Sequence, residues 1–195
     1  MVNLLLLVFI LIPARASVEL RPGDVLLQPL NCHTCTLIEQ EEDTIYSHIG
    51  LVISTFPDVM VAEAYGKVRA IALKGFNLRT QKNQKVAVLR FRDQTFQYEL
   101  LERSREMQSF FKTHFEGKKY DAKFSWDNEN LYCSEFVAKF LESFLPVRMP
   151  LKRMHFDKNR FQWFRYFKGE IPDGDWGNSP GDFEQSDLFE KVGEI

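Results

Sequence analysis

The sequence predicts an α+β domain, an antiparallel sheet or half-barrel packed on helices. Three observations carry this. Apolar stretches at 46–53, 59–65, 67–73 and 86–91 are short and mostly joined by short connections, as in an antiparallel meander. Longer stretches with helical spacing, 97–115 and 131–144, follow the strands rather than alternate with them. The chain has 195 residues, is 45% hydrophobic and holds 18 Phe, enough for one domain with a full-sized core.

The elements follow in order. Gly23 to Gln28 reads as a first short strand after a turn at Arg21-Pro22. Asn31 to Glu42 reads as a helix with Asn31 as N-cap. Thr55-Phe56-Pro57-Asp58 turns the chain between the second and third strands, and Gly66 between the third and fourth. Gln97 to Phe115 reads as one helix, with Leu100, Met107, Phe111 and His114 near one face. Leu131 to Phe144 is the second long helix, capped by Asn130 and ended by Pro146 and Pro150. Phe156 to Phe167 is a third helix or an irregular aromatic segment.

Both ends differ in character from the middle. Leu4 to Ile12 is an unbroken apolar run, too short to span a bilayer, and Ala14-Arg15-Ala16 fits a small-x-small cleavage site before Ser17. Residues 1–16 are therefore expected to be a removable signal peptide. That makes the mature protein exported, periplasmic or secreted, with its folded domain over 17–168. Residues 169–195 form an acidic C-terminal tail with eight acidic residues and one Lys. It could fold back on the basic remainder, but disorder is the simpler expectation. The net charge of −2 gives no general case for nucleic acid as a partner.

There are three cysteines, Cys32, Cys35 and Cys133. In an oxidising compartment two can pair and one is left over. Cys32 and Cys35 are close enough to pair, as a structural disulfide; a bland pair of core cysteines is the alternative. Their C-x-x-C lacks the parallel βαβ context of a redox dithiol, the following His of covalent haem, and the partner pair of a zinc site. No metal and no cofactor is expected. Cys133 then remains as the unpaired thiol.

Cys133 falls in the first turn of its helix, where the dipole and unpaired N–H groups favour a thiolate and could stabilise an oxyanion. A cysteine on an apolar helix face is more often a small buried hydrophobe. The hairpin at 46–65 changes the balance. His48 shares a strand face with Gly50 and Val52. If the connecting loop has an even number of residues, Glu63 and Tyr65 lie on that same face, with Glu63 opposite or diagonal to His48. Glu63 is costly to bury without a partner, and His48 is the candidate. Cys133 as nucleophile, His48 as base and Glu63 as the group that orients it form a coherent catalytic set.

Gly-Asp-Val-Leu-Leu at 23–27, Tyr-Ser-His-Ile-Gly at 46–50, Glu-Ala-Tyr at 63–65, Tyr-Asp at 120–121 and Tyr-Cys-Ser-Glu-Phe-Val at 132–137 resemble the YiiX/YebB-like enzymes, circularly permuted members of the NlpC-type papain-like amidase superfamily. The resemblance spans about residues 20 to 145. It implies a permuted papain-like fold with histidine before cysteine in the chain, and a triad of Cys133, His48 and Glu63. Tyr120 matches the position of an oxyanion-hole tyrosine, and Tyr65 is taken with it as a substrate-binding candidate. The implied activity is a cysteine hydrolase cleaving an amide or other acyl bond through an acyl-enzyme. Alternatives are a lipid acyltransferase or thioesterase of the same fold, or a non-catalytic binding protein. The partner would be a peptide-like or lipid-like acyl substrate, with cell wall or membrane as the surface. Arg148 to Lys168, with seven basic residues among six aromatics, could face such a surface or pack its rings inward.

Overall fold

In the computed structural model, residues 18–126 and 128–195 are described. Residues 1–16, expected to be a signal peptide, lie outside them. The strands are β1 (Val25–Gln28), β2 (His48–Ser54), β3 (Met60–Tyr65), β4 (Lys67–Ala72), β5 (Ala87–Phe91), β6 (Lys152–Arg153), β7 (Trp176–Gly177) and β8 (Phe189–Glu194). The helices are α1 (His33–Glu41), α2 (Leu73–Asn77), α3 (Gln94–Glu102), α4 (Ser104–His114), α5 (Cys133–Phe144), α6 (Arg160–Tyr166) and α7 (Pro180–Glu184). Six strands form one antiparallel sheet in the order β4-β3-β2-β1-β5-β8, and β6 pairs with β7 apart from it. The expected α+β class with an antiparallel sheet on helices is what the chain adopts.

β2 is buried along its whole length because both faces of the sheet are covered. Ile49, Leu51 and Ile53 join the main cluster under α4 and α5. Val52 turns the other way, into a smaller cluster with Leu26, Val61 and Phe76. Strand alternation thus sends His48 toward α2 and Ile49 toward α5. Gly50 follows the histidine for a steric reason. A Cβ there would lie 2.6 Å from Val61 Cγ1 and 2.8 Å from Phe76 Cε2.

α5 carries the largest share of the helix-side core, with Phe136, Val137, Phe140 and Leu141 fully buried. It begins two residues later than expected, with Tyr132 rather than Asn130 as N-cap. Leu131 is held outside the helix by backbone bonds. It donates to the Lys119 carbonyl and accepts from Asp121, forming a parallel bridge with Tyr120. α1 likewise starts later, at His33, with the Cys32 sulfur accepting from Cys35 N at 3.1 Å.

The expected single helix at 97–115 is two helices. The chain breaks at Arg103, whose guanidinium grips Glu99 and Glu106 and lies 4.1 Å over the Phe144 ring. The first of them begins three residues early, at Gln94, with Asp93 capping Thr95 N.

The acidic C-terminal segment is ordered, against the expectation of disorder. Its acidic composition masks two anchors, Phe183 and Phe189, both buried in the main cluster. Phe189 lies 4.5 Å from Phe91 and 5.8 Å from Phe183, ring to ring. β8 completes the sheet against β5, and Ser179 caps α7. Asp182 meets Lys152 at 2.8 Å and Asp173 meets Arg160 at 2.6 Å, so the segment does fold back on basic partners. Along 148–168 the buried rings are Phe156 and Trp163, packed with Leu37, Phe124, Tyr132 and Met154 between α1 and α6. Phe161 and Phe164 remain exposed.

Candidate active site

Three elements converge at one end of β2. The strand supplies His48, its hairpin partner β3 supplies Glu63, and α5 presents Cys133 as its first residue. On the β2–β3 ladder Gly50 pairs with Glu63, which sets Glu63 diagonal to His48 on the same face. His48 Nε2 lies 2.7 Å from Glu63 Oε2, and both side chains are buried. The ring is boxed by Phe76, stacked at 5.8 Å, and Tyr65, edge-on at 5.9 Å.

The loop that makes this hairpin is odd, not even. Residues 55–59 connect the strands, and Ser54 pairs with Met60. An odd loop alone would turn Glu63 to the opposite face. A bulge between Val52 and Ser54 inserts one residue and restores the parity.

Glu63 has two further partners. Arg69, its direct neighbour on β4, donates through Nε and Nη2 to Oε1, each at 3.1 Å. Arg79, in the segment after α2, donates through Nη2 to Oε2 at 2.6 Å. Burial pushes the Glu63 carboxyl up, but bonds and charges from His48 and Arg79 outweigh it and hold the group at about 2. It is a carboxylate at any physiological pH. It must therefore accept from His48, so Nε2 carries the hydrogen in a neutral ring and Nδ1 is the basic nitrogen. Burial holds His48 below its ordinary value; Glu63 opposes this, and the two arginines reinforce it.

Cys133 is buried and unpaired. Burial pushes its thiol up to about 12, against the lowering effect of backbone N–H groups from Ser134, Ile49 and Cys133 itself. The helix terminus thus acts in the direction expected, and burial outweighs it. The contact with Ile49 ties the sulfur to the residue next to His48. Among the described residues no hydrogen bond joins Cys133 to the imidazole; the two side chains line one open cavity. Tyr120 and Tyr65 line that cavity with them, as do Cys32 and Cys35. A second pocket that also reaches Cys133 opens between Phe124, Tyr132, Phe156 and Trp163.

Tyr120 is held beside Leu131 by the short bridge, two residues from Cys133. Burial pushes its hydroxyl well above the ordinary tyrosine value, so it stays a donor. Asp121 fixes the following turn through Lys123 N, Ser125 N and the Asn128 amide. Tyr65 is half-exposed and forms a face for Arg79, 4.5 Å above it, and Arg69, at 5.3 Å. Cys32 and Cys35 form a disulfide.

All seven residues singled out from the sequence therefore line or flank one end of the sheet. The two arginines on Glu63 were not foreseen. Arg69 was within reach of the tight Tyr65-Gly66-Lys67 hairpin, which pairs it with Glu63. Arg79 arrives from an irregular segment and has no signal of that kind.

A buried histidine at one end of the sheet, hydrogen-bonded to a carboxylate and sharing a pocket with the first residue of a core helix, is the arrangement the family resemblance leads one to expect. The chain belongs to the family described as permuted papain-like amidase enzyme, YaeF/YiiX, C92 family, which it matches over residues 19–192. It is 29% identical over 146 residues to the uncharacterized protein YiiX of Escherichia coli strain K12, spanning 75% of this chain and 69% of that one. The crystal structure of metalloprotein yiiX from Escherichia coli O157:H7 has the same fold, with a TM-score of 0.78 at 23% identity, covering 90% of this chain and 97% of that one. Among the described residues of the present chain no group of three or more His, Cys, Asp and Glu could hold a metal ion.

Proposed function

We propose that the protein is a cysteine hydrolase of the amidase type that works through an acyl-enzyme on Cys133. The observation that carries this reading is the 2.7 Å bond between His48 and Glu63 beside a cavity that also receives the Cys133 thiol. Glu63 fixes the tautomer that leaves His48 Nδ1 basic. Nδ1 takes the thiol proton as the sulfur bonds to the acyl carbon and its carbonyl becomes an oxyanion. Tyr120 and the N–H groups at the start of α5 are donors available to that oxyanion. The C–N bond then breaks, and the amine leaves with the proton from His48. A water, deprotonated by His48, attacks the thioester, and Cys133 leaves as the thiol on regaining the proton. The thiol and Nδ1 must approach for the first step, and such bonds often tighten only when substrate binds.

The acyl substrate is peptide-like or lipid-like, with transfer to another acceptor as the alternative second half of the same chemistry. Export, with removal of residues 1–16, is part of the proposal. The Cys32–Cys35 disulfide supports it, since such bonds persist in oxidising compartments. Among the described residues no helix is long and apolar enough to cross a membrane.

A thiol-directed probe tests the reading. Labelling of Cys133 that collapses in His48→Ala is the expected result, and equal slow labelling of both proteins would overturn it. Mass spectrometry of the acyl-enzyme trapped on Cys133 would name the acyl group.

A further inference from the structure

The carboxylate behind His48 is shared three ways. Glu63 Oε2 takes both His48 Nε2 and Arg79 Nη2, while Oε1 takes Arg69 twice. One fully buried negative charge thus faces two permanent positive charges before the imidazole gains a proton. Arg79 is placed in an unusual way. It reaches the carboxylate through a single Nη2, while its Nε and Nη1 are buried with no hydrogen-bond partner. Its guanidinium lies instead against the Tyr65 and Phe76 rings, at 4.5 and 5.4 Å. An arginine kept only to pair with a carboxylate would use both arms of its fork.

We propose that Arg69 and Arg79 are positioning residues that neutralise Glu63 in advance, so that the site rests as thiol and neutral imidazole. His48 then works as a general base rather than as half of a standing thiolate–imidazolium pair. This rests on the catalytic reading given above and specifies how that site is charged. The groups facing His48 are Glu63 and Tyr65 from β3, Arg69 from β4, Arg79 from beyond α2, Cys133 from α5, Tyr120 from the segment before it and Tyr166 from α6. Glu63 is the one anion among them, and it is already matched. A proton on His48 would be a third positive charge on a single carboxylate. The burial of the thiol acts in the same direction.

The test is a pH titration of His48 by NMR in the full-length mature protein, with His48→Gln to assign the signal, beside the pH dependence of Cys133 alkylation by iodoacetamide. In the native protein the His48 midpoint should lie below that of an exposed histidine, and alkylation should show no acid plateau. Arg79→Met should raise the midpoint by about one pH unit, and Arg79→Lys should return it toward the native value. Arg69→Met gives the same readout should Arg79→Met not fold. A midpoint unmoved in the folded methionine variants would overturn the proposal. So would native alkylation with a plateau from about pH 4 to pH 7, the mark of a thiolate already formed. Failure of the catalytic reading looks different. Alkylation unchanged in His48→Ala would remove the base, while the NMR midpoint would still report whether the arginines set its charge.

Discussion

His48 and Glu63 hydrogen-bond at 2.7 Å although neither is the other's direct partner on the ladder; Gly50 is the residue opposite Glu63. The diagonal lets the carboxylate approach the ring from one side while Arg69, directly opposite Glu63 on β4, holds it from the other. Removing the charge at Glu63 therefore strands two guanidinium groups as well as the imidazole. Glu63→Gln keeps the shape and loses the charge. It is expected to destabilise the fold by on the order of 3 kcal/mol, the low end for a broken buried pair because Arg69 is partly exposed. It should also slow His48-dependent labelling of Cys133. Denaturant unfolding and probe kinetics on the same preparation measure the two effects.

Two groups give opposite slopes to stability against pH. Glu63 is held at about 2, below its unfolded value, so it binds fewer protons folded. Its contribution is full above pH 4.5 and is lost as pH falls through about 2. Glu135 is raised to about 7 by burial, only partly offset by Lys139. It binds more protons folded, so its contribution is full below pH 4.5 and is lost as pH rises through about 7. Glu135→Gln, which cannot titrate, should abolish the decline between those values. Melting temperature measured from pH 4 to pH 8 on both proteins tests this, and parallel curves would refute it.

The C-terminal strand is expected to be essential to the domain. Phe189 packs 4.5 Å from Phe91 at the far edge of the sheet and touches Phe183 of α7. Phe189→Ala should cost about 3–5 kcal/mol, as for a buried aromatic truncated to a cavity. Removing residues 186–195 should leave β5 with an open edge and give an insoluble or unfolded chain. A truncated protein that unfolds cooperatively at the native midpoint would contradict this.

What the sequence made legible was the residues that meet at one end of the sheet and the run of hairpins from β2 to β4; β5 pairs with β1 instead of continuing the meander, and β8 has no counterpart in the expected strands. Cys133 was visible from its place at a helix start, and Glu63 from the cost of a carboxylate in an apolar strand. The route from Glu63 to His48 was less secure. It assumed an even loop, and the structure reaches the same face through an odd loop and a bulge, which leaves no mark in residue type. The tail was misjudged because acidic composition outweighed two phenylalanines whose partners, Phe91 and the core under α7, lie far away in sequence. The environment of Cys133 is a related case. A helix terminus can be read from a sequence, whereas the burial that overrides it depends on everything packed around it.

Gly50 joins fold and site, and its replacement is the sharpest test of how tightly the imidazole is held. A methyl group there would meet Val61 at 2.6 Å and Phe76 at 2.8 Å. Val61 belongs to the neighbouring strand and has little room to retreat, so the Phe76 ring must give way. Phe76 is also the ring stacked on His48, at 5.8 Å, and one of the two faces against Arg79. Gly50→Ala is therefore expected to cost about 1–3 kcal/mol from overpacking. It should also lower the rate of His48-dependent Cys133 labelling well beyond the fraction unfolded. Pairing it with Phe76→Leu, which opens space for the methyl, should recover much of the stability but not the labelling rate, because the stacked ring is then gone. Recovery of both would mean that Phe76 only fills volume and does not orient His48.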